Sequence, residues 1–502
     1  MSKRISKYLR SVMSRSASKK RGHGIAGKRR IKSGFLIFGL VVLLLGANGI
    51  TAQPQAADKD VLNLSLDQWI GWRSILMANG GLETKKGSIF DKLGLQLNIK
   101  NIDDNDAKLN ALMARHIDAM GSTIQRYTFE LSKLQRARIP VKMIFITNVS
   151  SGGDGIIAKK SIKRVEDLAG KKVALARFTE AQCLLEWTMM LSSLTPEQKK
   201  KIRDNIVFTE DAGKAGEIFF SKHADAAATW QPFLSQAEGS SDAHVLMDTQ
   251  AMNNFIIDGI IFREDYLKAN PSAVKKFIIG TLEAADALLA DPPKDPDIEY
   301  SYLVKSFPMC ANMKKNEIEE MFPDAALSGY ADNVRYLGKG GLAEQVFMAS
   351  SRIWKDIGEA ADPDLASIAF DDSVLRGLDH PLTKKARPVF KVTAVQREAA
   401  RDKAPLISKQ WIINFAKESA SIPAESLDQL AEFAVVAQMA ERTVVQIEGA
   451  AASGESQGLS EKRAHAVSSY LRDNGIDPSR ILVIENDKRQ KSQVDLTIKS
   501  VK

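Results

Sequence analysis

The chain has 502 residues, 44% of them hydrophobic and 26% charged, with 32 Gly and 16 Pro. This is a globular composition too long for one ordinary core, so two or three domains are expected. The net charge of +9 is local: residues 1–34 hold 12 Lys or Arg and no acid, which leaves 58 basic against 61 acidic residues elsewhere, and no basic face remains for a nucleic-acid partner.

Arg29, Arg30 and Lys32 precede the apolar run Phe35 to Ala47. A basic flank before such a run keeps the N-terminus in the cytoplasm and sends the rest of the chain outside. The pattern predicts a membrane-targeting helix over 35–52 behind a cytoplasmic leader, 1–34. The core has signal-peptide length, but extension to Ala52 just spans a bilayer. Because Ile50-Thr51-Ala52 is a mediocre cleavage site, an uncleaved anchor in the inner membrane is preferred over a cleaved signal. From Asp60 strand-like runs (VLNLSL, VKMIFIT, GIIAKK, KKVALA, NIVFTE, AAATW) alternate with helical ones (ALMARHIDAM, CLLEWTMMLSSL), which predicts a largely parallel α/β architecture. Helical sequence dominates 271–355. Charged, proline-containing sequence without periodicity predicts a linker over 381–407, between a module at 58–380 and a compact β-α-β-α-β-β block at 408–502. Cys183 and Cys310 lie 127 residues apart and are expected to be unpaired, buried thiols. No nucleophile elbow, H-E-x-x-H or P-loop occurs and the six His are scattered, so neither catalysis, a cofactor nor a metal site is expected.

Several short motifs stand in order: Trp69-x-Gly71-Trp72; Gly80-Gly81-Leu82; Ala111 to Ala119 leading into Gly121-Ser122-Thr123; Ser150 to Gly155; Val165 to Val173; His223 to Pro232; Asp258-Gly259; and Asn270-Pro-Ser-Ala-Val. Residues 60–375 thereby resemble the periplasmic solute-binding proteins of nitrate, sulfonate and taurine ABC importers. The resemblance implies a two-lobed, type II-like α/β fold with crossovers near 150–160 and after 255. It also implies a small polar or anionic ligand and an ABC permease or other inner-membrane partner. A membrane-anchored envelope sensor or adaptor, or a peptidoglycan-associated structural protein with a non-transport cleft, is the alternative.

In α/β lobes ligands sit beyond the carboxyl ends of the strands. Here those loops are rich in Ser, Thr, Gly and Gln, which hold a desolvated anion without a metal. The candidate site has Trp69 and Trp72 as apolar walls, Ser122, Thr123 and Ser151 as donors, Thr179 and Gln182 at a helix start, and Trp230 and Asp258 closing the cleft. Each also has a plainer explanation. The two tryptophans suit a core corner, Ser151-Gly-Gly-Asp a tight turn, and Thr179 an N-cap. Asp258 would repel an anion, so it orients another group or contacts an amine.

In the last block, Ile413 to Ala420, Val445 to Gly449 and Leu459-Ser-Glu-Lys-Arg463-Ala464-His-Ala-Val467 resemble the OmpA-like family, which associates with peptidoglycan. The resemblance implies a small α/β sandwich in which Arg463 grips the diaminopimelate carboxylate. The Asp expected after Gly449 is missing; Ala450-Ala-Ala-Ser453-Gly454-Glu455 stands there, and Glu455 is the candidate substitute. An unmatched amine would lose about 1.5–3 kcal/mol, which weakens peptidoglycan as a partner.

Overall fold

A computed structural model describes residues 59–290, 296–384, 390–486 and 491–501. Four strands open the first lobe: β1 (Asp60–Leu66), β2 (Leu95–Asn101), β3 (Ala119–Thr123) and β4 (Val141–Ser150). Residues 151–153 cross to a second lobe made of β5 (Asp154–Lys159), β6 (Val173–Ala176), β7 (Ile206–Thr209), β8 (Ala226–Trp230) and β9 (Ala243–Asp248). Residues 249–256 return the chain to β10 (Ile257–Arg263), and β11 (Ala325–Leu327) completes the first sheet.

The sheets have the orders β11-β4-β10-β3-β1-β2 and β7-β6-β8-β5-β9. In each, three strands run parallel (β2-β1-β3 and β7-β6-β8) and the strand arriving from the other lobe is antiparallel to them. The sheets are thus mixed where parallel ones were expected. The reason is geometric: a strand entering from the crossover starts at the carboxyl edge of its parallel neighbours. Asp154 therefore pairs with Trp230 at the end of β8, and Asp258 with Thr123 at the end of β3.

All seven residues of β10 are buried, as befits a central strand covered on both faces. Gly259 permits this packing, because a Cβ there would lie 2.5 Å from Met143 Sδ. Thr123 starts helix α1 (Ile124–Arg136), its hydroxyl accepting from the Arg126 amide at 3.1 Å, the usual N-cap arrangement. Helix α2 (Glu180–Met190) follows β6, and α3 (Leu342–Asp356) packs on α1.

The C-terminal block is β12 (Trp411–Asn414), α4 (Leu427–Met439), β13 (Thr443–Gly449), α5 (Leu459–Asp473), β14 (Ile481–Glu485) and β15 (Gln493–Ser500). Its sheet order is β12-β15-β13-β14. The segment expected to be a linker is partly built into this domain. Val392 and Ala400 are buried with Val444 and Leu482, and the Leu406 amide donates to Ile498 O at 2.8 Å. Two isolated apolar contacts leave no periodicity to read.

The domain is docked on the binding module. One apolar core runs from Trp187 and Trp354 to Trp411 and Phe433, and polar contacts reach both crossovers. Arg442 donates to the Ser151 hydroxyl at 2.9 Å in the first, and the Asn254 amide donates to Met439 O at 3.0 Å in the second. Glu441 accepts from Asn254 at 2.9 Å and pairs with Arg335 of the first lobe at 2.8 Å. The Lys409 amide donates to Leu191 O at 2.9 Å in the second lobe. Asn254→Ala removes the hydrogen bonds to Glu441 (2.9 Å) and from the buried Tyr336 hydroxyl (2.8 Å). It should cost about 1–3 kcal/mol, measured as a fall in the urea midpoint.

The leader 1–34 and the apolar segment 35–52 lie outside the described residues. Among the described residues no helix is long and apolar enough to cross a membrane. Cys183 and Cys310 are unpaired and buried. Burial pushes the Cys310 thiol up to about 11, so it stays protonated.

Candidate ligand cleft

Between the lobes lies a cleft of about 400 Å³, lined from both sheets at their carboxyl edges. Trp69 enters at the corner after β1. Its indole N–H donates to Asn148 Oδ1 at 3.0 Å, and Gly71 allows the approach, since a Cβ there would sit 2.3 Å from that same oxygen. Trp230, from the second lobe, faces it with ring centroids 6.4 Å apart and 30° between planes. Two aromatic walls from opposite lobes thus meet across the opening.

Of the residues expected at the site, Trp69, Ser122, Thr123, Thr179, Trp230 and Asp258 line the cleft. Trp72, Ser151 and Gln182 do not. Trp72 is 1% exposed, donates to Asp67 at 2.7 Å and packs over Gly121, so it is a core residue. The hydroxyl of Ser151 is turned towards Arg442 of the C-terminal domain. Gln182 folds back to accept from the Phe178 amide at 2.8 Å, closing the turn before α2. The lining hydroxyls are also engaged: Ser122 donates to Glu130 at 2.9 Å, Thr179 to Ala176 O at 2.9 Å and Thr123 to Glu180 at 3.4 Å. The Arg177 guanidinium lies over the rings of Phe178 and Phe208.

What sequence reasoning missed is the charge. Among the described residues, seven acidic side chains line the cleft (Asp67, Asp103, Asp154, Glu180, Asp211, Glu217 and Asp258) against two basic ones, Arg126 and Lys214. Both bases are already paired: Arg126 with Glu130 at 3.0 Å and Asp106 at 2.9 Å, and Lys214 with Glu217 at 2.8 Å. Asp154 and Asp258 are 5% and 4% exposed. Burial first, then the neighbouring Glu180 charge, pushes the Asp154 carboxyl up to about 8. Burial, then the charges of Asp154, Asp67 and Glu180, holds Asp258 well above the carboxylate range, opposed by Lys108. Burial also raises Glu180. Asp154 was legible as part of the Ser150–Gly155 crossover motif, but its burial was not.

In the C-terminal domain the side chains of Arg463 and Glu455 are both buried and form a two-pronged pair at 2.8 and 2.6 Å. Arg463 also donates to the carbonyls of Ser419 (2.8 Å), Ala450 (3.1 Å) and Ala416 (3.2 Å). All five of its N–H groups are thereby used. The pair expected to meet peptidoglycan is turned inward on itself.

With this geometry in view, similarities to known proteins fall into two blocks. Residues 84–295 match the family described as NMT1/THI5 like, and residues 414–497 match the OmpA family. A binding protein of Brucella abortus is 29% identical over 169 residues, covering 32% of this chain and 50% of that protein. The taurine-binding periplasmic protein of Escherichia coli K12 is 22% identical over 158 residues, 31% of this chain and 47% of that one. The chain spans about half the length of these curated relatives. The periplasmic nitrate-binding protein NrtA of Synechocystis PCC 6803 superposes with a TM-score of 0.51 at 13% identity, over 64% of this chain and 88% of that one. The chain therefore joins an NMT1/THI5-like domain with the periplasmic-binding-protein fold to an OmpA-family domain.

Proposed function

We propose that this chain is an envelope solute receptor of an ABC-type import system, which takes a small polar ligand into the interlobe cleft and presents the closed form to an inner-membrane permease. The observation that carries the reading is the pair of crossovers, 151–153 and 249–256, beneath a cleft lined from both lobes. Two lobes joined by short strands close by hinge motion around whatever bridges them. The relatives are named as binding proteins, which supports binding over catalysis. A periplasmic location accords with the same resemblance, with the basic leader and apolar segment as the proposed tether.

Of the nitrate, sulfonate and taurine class, the acidic lining supports the members that carry an amine. Thermal unfolding of the full chain against a panel of oxyanions, sulfonates and amines tests the receptor. A ligand at a hundredfold excess over Kd stabilises the folded state by about 2.7 kcal/mol. One class should raise the midpoint selectively, and Trp69→Ala should abolish the shift. A flat response to the whole panel would sink transport as the function.

A sensor or adaptor is the second reading, favoured by the contacts of Arg442 with Ser151 and of Asn254 with Glu441 at the two crossovers. Lobe motion would then be felt by the C-terminal domain. Ligand-dependent hydrogen exchange at residues 438–442 is its expected signature. We assign no peptidoglycan grip to this domain, because Arg463 keeps no free N–H for a ligand.

A further inference from the structure

We propose that the cleft holds an organic ammonium group, placed between the carboxylates of Asp154 and Asp258 and against the indole faces of Trp69 and Trp230. The inference rests on the receptor reading above and names the chemical class of its solute.

Four observations converge. Asp154 and Asp258 occupy matching places, each beside the end of a parallel strand where the incoming strand of its lobe begins. A positive charge between them would join the two lobes at the hinge. Second, the Asp258 carboxylate is 4% exposed, lines the cleft, and has neither a hydrogen bond nor an ion pair from any described residue. A buried acid without a partner is costly unless something else supplies one. Third, the nearby cations are spent: Lys108 bonds Asp67 at 2.7 Å and Gly121 O at 3.3 Å, and Arg126 is held by Glu130 and Asp106. Fourth, two indoles from opposite lobes stand beside the acids, and aromatic faces attract desolvated ammonium groups.

A metal ion suits the site less well. Among the described residues no three carboxylates, imidazoles or thiols are placed to hold one. The cleft volume is that of a small-molecule site.

The test is calorimetric titration and thermal unfolding of the full chain with choline, putrescine and taurine, against nitrate, methanesulfonate, Ca²⁺ and Zn²⁺. At least one of the three ammonium compounds should bind. Its affinity should fall roughly ten- to hundredfold in Asp258→Asn, the loss of a charge-assisted contact. The empty Asp258→Asn protein should melt above the wild type at neutral pH, since no ionisable carboxyl then has to be desolvated there on folding; a merely structural role would lower it. Asp154→Asn is the second variant and should weaken binding similarly, so the proposal stays testable if the first folds poorly. Binding of nitrate or methanesulfonate with none by the ammonium compounds overturns the ammonium site and leaves the receptor standing. A response to metal alone also overturns it. Silence across the panel overturns both readings.

Discussion

Replacing Glu455 by alanine should destabilise the C-terminal domain by about 3–5 kcal/mol, the cost of leaving one member of a buried ion pair uncompensated. Both side chains are fully buried, so water cannot take over the lost contact. The Arg463 guanidinium holds the Glu455 carboxyl well below its usual range, helped by the amides of Ala452 and Glu418. That assembly ties the loop after β13 to the loop after β12 and to α5. The shared core makes the loss wider than one domain, because α4 packs on α3 of the binding module. Glu455→Gln keeps the shape and some of the bonds and should cost less. Replacing both residues by apolar ones of similar volume should cost least. Urea denaturation followed by far-UV circular dichroism gives the order. A single-alanine loss below about 1 kcal/mol would mean that the pair is not the clasp that the geometry describes.

That pair also shows where sequence stops informing. Glu455 and Arg463 stand eight residues apart in the chain, and nothing in their spacing says that the loop folds back to join them. The lobes were legible because alternating apolar runs are dictated by burial, and the strand ends that carry Trp69, Trp230 and Asp258 follow from that alternation. Ser151 and Gln182 stand at the turns that the sequence predicts but face other neighbours. Which way a turn residue faces depends on what docks against it, here Arg442 for one and the Phe178 amide for the other. Of the cleft acids, sequence reasoning reaches Asp258 but not the others, for a different reason. A carboxylate is usually solvated, and the burial of Asp154 and Asp258 arises only when two lobes and two crossovers come together. The Ser- and Thr-rich loops pointed to an anion cradle, yet the hydroxyls of Ser122 and Thr179 are bonded within the protein.

The stability of the empty protein should fall as pH rises from about 4 to about 8. The Asp154 carboxyl, raised to about 8 by burial and by Glu180, keeps its proton in the folded state across a range in which the unfolded chain has lost it. Stability from this group is therefore fully present below the unfolded value near 4. It declines by up to about 1.4 kcal/mol per pH unit until the folded carboxyl also ionises. Asp258 and Glu180 are shifted in the same direction. The charges of Asp154, Asp67, Glu180 and Lys108 act on Asp258, and that of Glu180 on Asp154, so the titration belongs to the cluster more than to one residue. Carboxyls held low, such as Asp225 and Glu455, act in the opposite sense. Their stabilisation is lost only as pH drops below about 4, outside this window. Melting temperatures between pH 5 and 8 should thus slope downward in the wild type and flatten in Asp154→Asn. A bound ammonium compound reverses the sign, because it pairs with the ionised acids: its affinity should rise by up to about tenfold per unit over the same range. A wild-type profile that is flat both with and without ligand would show that the acids are hydrated and separate, and the cleft would lose the charge that selects its solute.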